Sequence, residues 1–133
     1  MCLVVKKKFN DLKEAKAYKP LIATKDIKVY KILDLLTDVD GKAPYRGFRY
    51  QKGFQYTESK LKLCYDLFNS KYEINVDQGL HAYVKRDCPE IRNYLSSYYS
   101  NNESGVVEMI IPKGSIYYLG DNNDIVTNNL IWY

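Results

Sequence analysis

The chain has 133 residues, of which 46% are hydrophobic and 27% charged, which suits one domain around one core. This composition excludes a disordered chain, and no apolar run approaches the roughly 20 residues of a membrane-spanning helix. Residues 1–60 hold 14 Lys and Arg against 7 Asp and Glu, and residues 61–133 hold 6 against 9, so the first half could attract phosphate or nucleic acid or form a solvated lysine-rich surface.

The first third of the chain predicts a strand, a helix and a second strand. CLVVKKK has the apolar run of a short strand, and FNDLKEAKAYK contains good helix formers after Asn10 or Asp11, either of which could cap a helix. Pro20 would end that helix. In DIKVYKILDLL the apolar residues alternate, which is typical of a strand. The Asp-Gly pair and Pro44 in TDVDGKAP then predict a loop.

The middle of the chain predicts short strands and one further helix. YRGFRYQKGFQYTES is interrupted by two glycines and predicts two short strands or one bulged strand. KLCYDLF is compatible with a helical turn, whereas YEINV and GLHAYV indicate strands. CPEIRNYLSSYYS predicts a helix, because Pro89 and Glu90 suit a first turn and Ile91, Leu95 and Tyr98 would line one face.

The last part of the chain predicts only strands and turns. VVEMIIP, IYYLG, IVT and NLIWY are strand-like, and KGS and DNND are turn-like. We therefore expect an α+β fold in which residues 1–133 form a single compact domain, with a curved, mostly antiparallel sheet and one or two packed helices.

Few side chains could hold a metal. The three cysteines, Cys2, Cys64 and Cys88, are far apart and His81 is the single histidine, which argues against a disulfide framework and a zinc site. GDNND at residues 120–124 lacks the full calcium-loop pattern and predicts a hairpin turn. We expect neither a metal nor another cofactor. The short apolar patch before the first lysines lacks the order and length of a secretory signal, so we expect a cytoplasmic protein.

Glu108 lies inside an apolar strand and is the first candidate for a site. A period of two places it on the same face as Val106 and Ile110. A buried, unpaired carboxylate is costly, so Glu108 is either exposed at a sheet edge or lines a cleft. In a cleft, Glu108 and His81 would form a candidate catalytic pair, with Tyr83 as a neighbouring ligand contact. The alternative for His81 is a hydrogen-bonded structural role.

The segment YRGFRY is the second candidate for a site. Two of the four arginines, Arg46 and Arg49, occur here among Tyr45, Phe48 and Tyr50. Arginine binds phosphate in a bidentate manner, and aromatic rings can stack on a base. The segment therefore predicts a nucleotide-like ligand site, with an outward arginine packed over tyrosine as the alternative.

Two resemblances add to these patterns. YRGFRYQKGFQY, GLHAY and VVEMIIPKGSIYYLGDNNDIVTNNL together resemble segments of small uncharacterised phage and gut-bacterial proteins, over roughly residues 27–131. More distantly, VYKIL, GLHAYVKRDCPEIRNYL and EMIIPKG are similar, in this order, to the early strand, middle strand with helix, and catalytic strand of the ADP-ribosyltransferase fold. That second resemblance implies that Glu108 occupies the catalytic position. Lys31 stands where the family has Arg or His, which implies a degenerate cleft that binds without turnover.

These features favour a non-enzymatic protein that binds a nucleotide-like small molecule, such as a phage protein that sequesters an immune signalling nucleotide. Two alternatives stay open: an ADP-ribosyltransferase-like enzyme, and a structural or interaction protein such as a virion component or an inhibitor of a host protein. Strand edges and the 14 tyrosines favour a homodimer or a higher oligomer. We expect no membrane partner, and nucleic acid is the less favoured partner.

Overall fold

Strands dominate the computed structural model, which describes residues 3–44, 47–98 and 100–133. These ranges contain two helices, α1 (Leu12–Ala17) and α2 (Pro89–Leu95). Their strands are β1 (Leu3–Val4), β2 (Leu21–Ile22), β3 (Ile27–Thr37), β4 (Asp40–Lys42), β5 (Arg49–Gln51), β6 (Phe54–Thr57), β7 (Lys62–Phe68), β8 (Lys71–Gln78), β9 (Leu80–Tyr83), β10 (Ser104–Ile111), β11 (Ile116–Leu119), β12 (Asp124–Thr127) and β13 (Asn129–Trp132).

The larger of two sheets has ten strands and is built around β3. Its order is β2-β11-β12-β9-β3-β10-β13-β6, and β4 joins it through β3 and carries β5. The ladder between β3 and β10 runs unbroken from the pair Ile27–Ile111 to the pair Asp34–Ser104. All of the strand pairs in both sheets are antiparallel. β3 is thus the central strand of the larger sheet, because β4, β9 and β10 all pair with it.

The two faces of the larger sheet bury different residues, because side chains alternate along a strand. Val29 and Leu33 of β3 belong to the main core, together with Met109, Leu130 and Trp132. The opposite face carries a smaller cluster, in which Ile32 and Val106 pack with Cys88 and Ile91 of the α2 region. Helix α2 therefore covers the second face beside β9 and β3.

A smaller sheet with the order β1-β8-β7 packs over another part of the second face. Leu3 and Val76 lie in a core with Tyr118 and Val126 of the larger sheet. The β7–β8 hairpin turns at Asn69 and Ser70, which both have positive φ. Two such residues form the tight turn that suits the twist of a hairpin.

Most of the predicted strands are confirmed, and two details are wrong. KLCYDLF forms strand β7 and not a helical turn. The helix predicted in CPEIRNYLSSYYS ends at Leu95, because the hydroxyl groups of Ser96 and Ser97 donate to carbonyl groups of its last turn. Of its predicted apolar face, Ile91 is buried, whereas Tyr98 is 97% exposed.

A single compact domain with a mostly antiparallel sheet is confirmed, but the fold is closer to mostly-β than to α+β. The reason is that the two helices have only six and seven residues, so sheet packs mainly on sheet. The capping of α1 follows the prediction, since the Asp11 carboxylate accepts a hydrogen bond from the Glu14 N–H at 2.8 Å. Neither helix in the described ranges has the length and apolar character needed to cross a membrane.

Candidate functional site

A gap opens along one edge of β3, because β9 pairs with β3 only through its last residue, Tyr83, and β4 pairs with β3 only from Asp34 onwards. Tyr30 pairs with Tyr83 of β9, and Asp34 pairs with Lys42 of β4. Ile32 lies midway between them and has no register partner on this edge among the described strands. The sheet is therefore split at Ile32.

The backbone of Ile32 faces this gap. The N–H of Leu35 donates to the carbonyl of Glu103 on the β10 side at 2.8 Å, and backbone groups of successive strand residues point to opposite edges. The N–H and C=O of Ile32 therefore point to the edge shared by β9 and β4. Continued by two residues, the β3–β4 register would set Pro44 opposite Ile32, and proline has no N–H with which to extend a ladder.

A cavity of about 320 Å³ occupies the gap. Its aromatic walls come from Phe48, Tyr50, Tyr83 and Tyr94. Its ionisable side chains are Lys31, Glu58, Asp77, His81 and Asp124. The remaining lining consists of aliphatic, glycine, proline and glutamine residues on the strands β3 and β9 and on the connections to them. Its size lies within the range of about 300–1,000 Å³ that is usual for small-molecule sites.

Lys31 is the cation of this cavity. Its ammonium donates to the backbone carbonyl of His81 and lies 5.2 Å from the centroid of the Tyr50 ring. Val29 and Leu33, which flank Lys31 on the same face of β3, are fully buried. Burial lowers the pKa of Lys31 to about 8. The amine is thus held at the edge of the core by one hydrogen bond and one aromatic face.

Phe48 and Tyr50 form one aromatic wall of the cavity, and Tyr56 packs against Tyr50 from outside the described lining. Phe48 and Tyr50 have ring centroids 4.9 Å apart, and Tyr56 stands 4.8 Å from Tyr50. The Tyr56 hydroxyl accepts a hydrogen bond from the Gln51 N–H at 2.6 Å, which fixes the ring. Tyr50 is almost fully buried, and burial raises the pKa of its hydroxyl, so it stays neutral. Phe48 is 49% exposed and forms the accessible end of the wall.

Carboxylates border the cavity on the other sides. Burial raises the pKa of Asp124, although the Asn122 N–H donates to its carboxylate at 3.2 Å. Glu58 accepts a hydrogen bond from the Gln78 side chain at 2.7 Å. With Asp77, three carboxyl groups line the cavity against the single ammonium of Lys31. The described lining is therefore rich in hydrogen-bond acceptors and unfavourable to an anion.

The cavity collects four of the residues predicted from sequence as ligand contacts: Phe48, Tyr50, His81 and Tyr83. Arg49 does not join them, because its guanidinium is exposed and forms a bidentate ion pair with Asp40. Tyr45 and Arg46, which were also predicted as ligand contacts, lie outside the described residues.

Glu108 lies away from the cavity, on the other side of Tyr30. The β3–β10 ladder pairs Glu108 with Tyr30, and Tyr30 in turn pairs with Tyr83 of β9. The Glu108 carboxylate accepts hydrogen bonds from the hydroxyls of Tyr30, at 3.5 Å, and Tyr133. Glu108 and His81 thus share a sheet face. Of these two residues, His81 belongs to the described cavity lining and Glu108 does not.

Sequence reasoning overlooked Lys31 as a cavity residue, although a signal was present. Lys31 interrupts the core-facing row of Val29, Leu33 and Leu35 in DIKVYKILDLL, where a lysine is costly to bury. Glu58, Asp77, Tyr94 and Asp124 carried no such signal, because their approach to the cavity depends on the fold. In the ranges that the structure describes, His, Cys, Asp and Glu form no group of three or more that could hold a metal ion.

The arrangement is suited to holding a flat molecule, with aromatic faces for the ring and acceptors and one ammonium for its polar edge. Comparisons with protein-family models, with curated proteins and with solved structures found no match to the chain. The function of the cavity is therefore inferred from the residues that line it.

Proposed function

We propose that the protein is a non-enzymatic binding protein that holds a small planar ligand, of the class of a nucleoside, in the cavity between β9 and β4. The observation that carries this proposal is the combination of an aromatic wall, Phe48 and Tyr50, with hydrogen-bonding groups on the facing side of the same cavity. Binding of such a ligand requires no chemical reaction.

The aromatic wall favours a ring over an aliphatic ligand. A base that stacks on an aromatic side chain gains about 1–3 kcal/mol, largely independent of its identity. The half-exposed Phe48 can cover one face of such a ring without reorganisation of the core. The backbone groups of Ile32, the Lys31 ammonium and the nearby carboxylates supply donors and acceptors for a polar ring edge.

The charge of the lining, as far as the described residues form it, favours a nucleoside over a nucleotide. Phosphate recognition usually requires arginine or converging backbone N–H groups. Arg49 is committed to Asp40 on the exposed surface. Three carboxyl groups facing one ammonium would repel a phosphate placed inside the cavity.

Calorimetry with matched ligands tests this proposal. Nucleosides and their 5′-monophosphates are titrated into the wild-type protein, Phe48→Ala and Phe54→Ala. Phe54 is the matched control, because it is 57% exposed and lies on β6, outside the cavity lining. We expect a nucleoside to bind more tightly than its phosphate, and Phe48→Ala alone to weaken binding about 5- to 100-fold through lost stacking. Absence of heat with every nucleoside, or equal losses in both variants, would contradict the proposal.

The transferase alternative stays a prediction. Glu108 is held by two tyrosine hydroxyls and is absent from the described cavity lining, so a transferase would have to bind its cofactor on another part of that sheet face. Incubation with labelled NAD, wild type beside Glu108→Gln, separates the two hypotheses. Transfer of label that depends on Glu108 would support the enzyme.

A protein-interaction role is the second candidate, and one feature favours it. Leu67 and Phe68, at the tip of the β7–β8 hairpin, are 63% and 61% exposed. Strand β7 is also an edge strand, which pairs only with β8 in the described ranges. An exposed apolar tip beside a free strand edge suits association with a second chain.

A further inference from the structure

We propose that the Lys31 amine is a nucleophile that captures the carbonyl carbon of an aldehyde ligand as an imine. The inference deepens the proposed function and rests on it in one respect, because the cavity must admit a planar small molecule. It adds an aromatic aldehyde as the chemical class of the ligand. It also gives Lys31 a covalent role, which a ligand held by stacking alone would not require.

The position of Lys31 meets the geometric requirements of such a nucleophile. The amine lines the cavity, so a ligand that fills the cavity meets it directly. One of its hydrogen atoms is used by the His81 carbonyl, and this bond fixes the nitrogen at the gap. The buried Tyr50 ring lies 5.2 Å from the amine, and the half-exposed Phe48 ring beside Tyr50 is the aromatic face on which an aldehyde can lie.

The protonation state of Lys31 supports the same role. With its pKa lowered by burial to about 8, on the order of a tenth of Lys31 is neutral at pH 7, against less than about a thousandth of an ordinary lysine. The neutral amine is the nucleophile in imine formation, so the lowered pKa raises the reactive fraction of Lys31 by about two orders of magnitude.

The reaction balances without an oxidant or a reductant. The nitrogen lone pair forms a bond to the carbonyl carbon, and the π electrons of the C=O bond move to oxygen, which takes up a proton. The nitrogen loses one proton to give a carbinolamine. The hydroxyl group takes up a proton and leaves as water while the nitrogen lone pair forms the C=N bond, and the nitrogen releases its second proton, so the net products are the imine and one water. The protons that are taken up and released balance each other and exchange with solvent.

Reductive trapping with cyanoborohydride tests the inference on the chain of residues 1–133. The protein is incubated at pH 7 with salicylaldehyde and sodium cyanoborohydride, and the modified lysines are located and timed by peptide mass spectrometry. Lys28 is the internal control, because it lies on the same strand and is exposed. We expect reduced adduct to form at Lys31 at least about tenfold faster than at Lys28, because burial lowers the pKa of Lys31 and so raises its neutral fraction. Lys31→Arg should abolish this fast labelling.

Parallel calorimetry with salicyl alcohol, which cannot form an imine, separates the inference from the proposed function. Binding of the alcohol without preferential labelling of Lys31 would overturn the inference and leave the proposed function intact. Failure of the alcohol and of every nucleoside to bind, together with even labelling of all lysines, would overturn both. The ratio of the labelling rates of Lys31 and Lys28 in the wild-type protein tests the nucleophilic role of Lys31 even if Lys31→Arg does not fold.

Discussion

The Lys31 ammonium donates a hydrogen bond to the main-chain carbonyl of His81, at the point where β9 separates from β3. The Lys31 side chain thus forms a hydrogen bond to the backbone of β9 beside the gap in the β3 edge. Since Lys31 lies between two fully buried core residues of β3, the sequence places a titratable amine where an aliphatic side chain would be more stable. This relationship links the opening in the sheet to the chemistry that we propose for it.

The first prediction concerns the pH dependence of folding. The pKa of Lys31 is about 8 in the folded protein and near the ordinary 10.5 in the unfolded chain, so the unfolded chain binds more protons between these values. Stability attributable to Lys31 should therefore rise with pH from about 8 to 10.5. Lys31→Met, which removes the buried charge, should be more stable than the wild type at pH 7, by up to about 3 kcal/mol.

Urea denaturation of both proteins at pH 7 and at pH 10 measures this effect. Only the difference between variant and wild type is interpreted, because tyrosines such as Tyr50 change the pH dependence of both proteins equally. The difference should shrink at pH 10. A difference that is constant with pH would mean that Lys31 is not desolvated in the folded protein.

The second prediction concerns Glu108. Because its carboxylate is engaged by Tyr30 and Tyr133 outside the cavity lining, Glu108→Gln should leave nucleoside affinity within about twofold. The variant should lose roughly 0.5–1.5 kcal/mol of stability through the weaker hydrogen bonds to a neutral amide. Titration calorimetry and chemical denaturation on one preparation check both values. A tenfold loss of affinity with unchanged stability would place Glu108 in the binding site.

The third prediction concerns close packing next to Asp124. A Cβ atom at Gly120 would stand 2.0 Å from the Asp124 Oδ1 and 2.8 Å from the Leu3 Cγ. Gly120→Ala should therefore destabilise the protein by about 1–3 kcal/mol, measured by denaturation. In the double variant with Asp124→Ala the carboxylate clash is absent, so the two losses should be less than additive. Full additivity would show that Asp124 does not lie over Gly120.

The fourth prediction concerns self-association. If the β7–β8 hairpin tip mediates a homodimer, Phe68→Ser should shift the mass measured by light scattering from dimer to monomer. Leu36→Ser is the matched control, because Leu36 is 47% exposed at the far end of β3. A monomeric wild type at high concentration, or an equal shift in both variants, would contradict a dimer formed through this tip.

The sheet was predictable because its signal is local. The apolar alternation in VVEMII and DIKVYKILDLL predicts two strands, and these form the longest ladder of the fold. KLCYDLF was misread because its hairpin turn uses Asn69 and Ser70, both at positive φ, and serine is not the glycine that usually marks such turns.

The cavity was only partly predictable because it depends on contacts between distant segments. Clustered aromatics directed attention to Phe48 and Tyr50, and the single histidine directed it to His81. The gap itself depends on where β9 and β4 part from β3, which is fixed by long-range register and by Pro44. Glu108 was favoured by its apolar neighbours, but those neighbours could not reveal that Tyr30 and Tyr133 satisfy its carboxylate.

An NMR titration of the amide groups with a nucleoside would test the proposed cavity most directly. We predict that the amide signals of Ile32, His81 and Tyr83 shift together on binding, because these residues border the gap. The control is a separate shallow depression around helix α1, lined by Lys7, Phe9, Glu14 and Tyr18 and called the Lys7–Tyr18 surface, whose amide signals should stay unchanged. Shifts confined to the Lys7–Tyr18 surface, or no shift at millimolar nucleoside, would contradict a ligand site between β9 and β4.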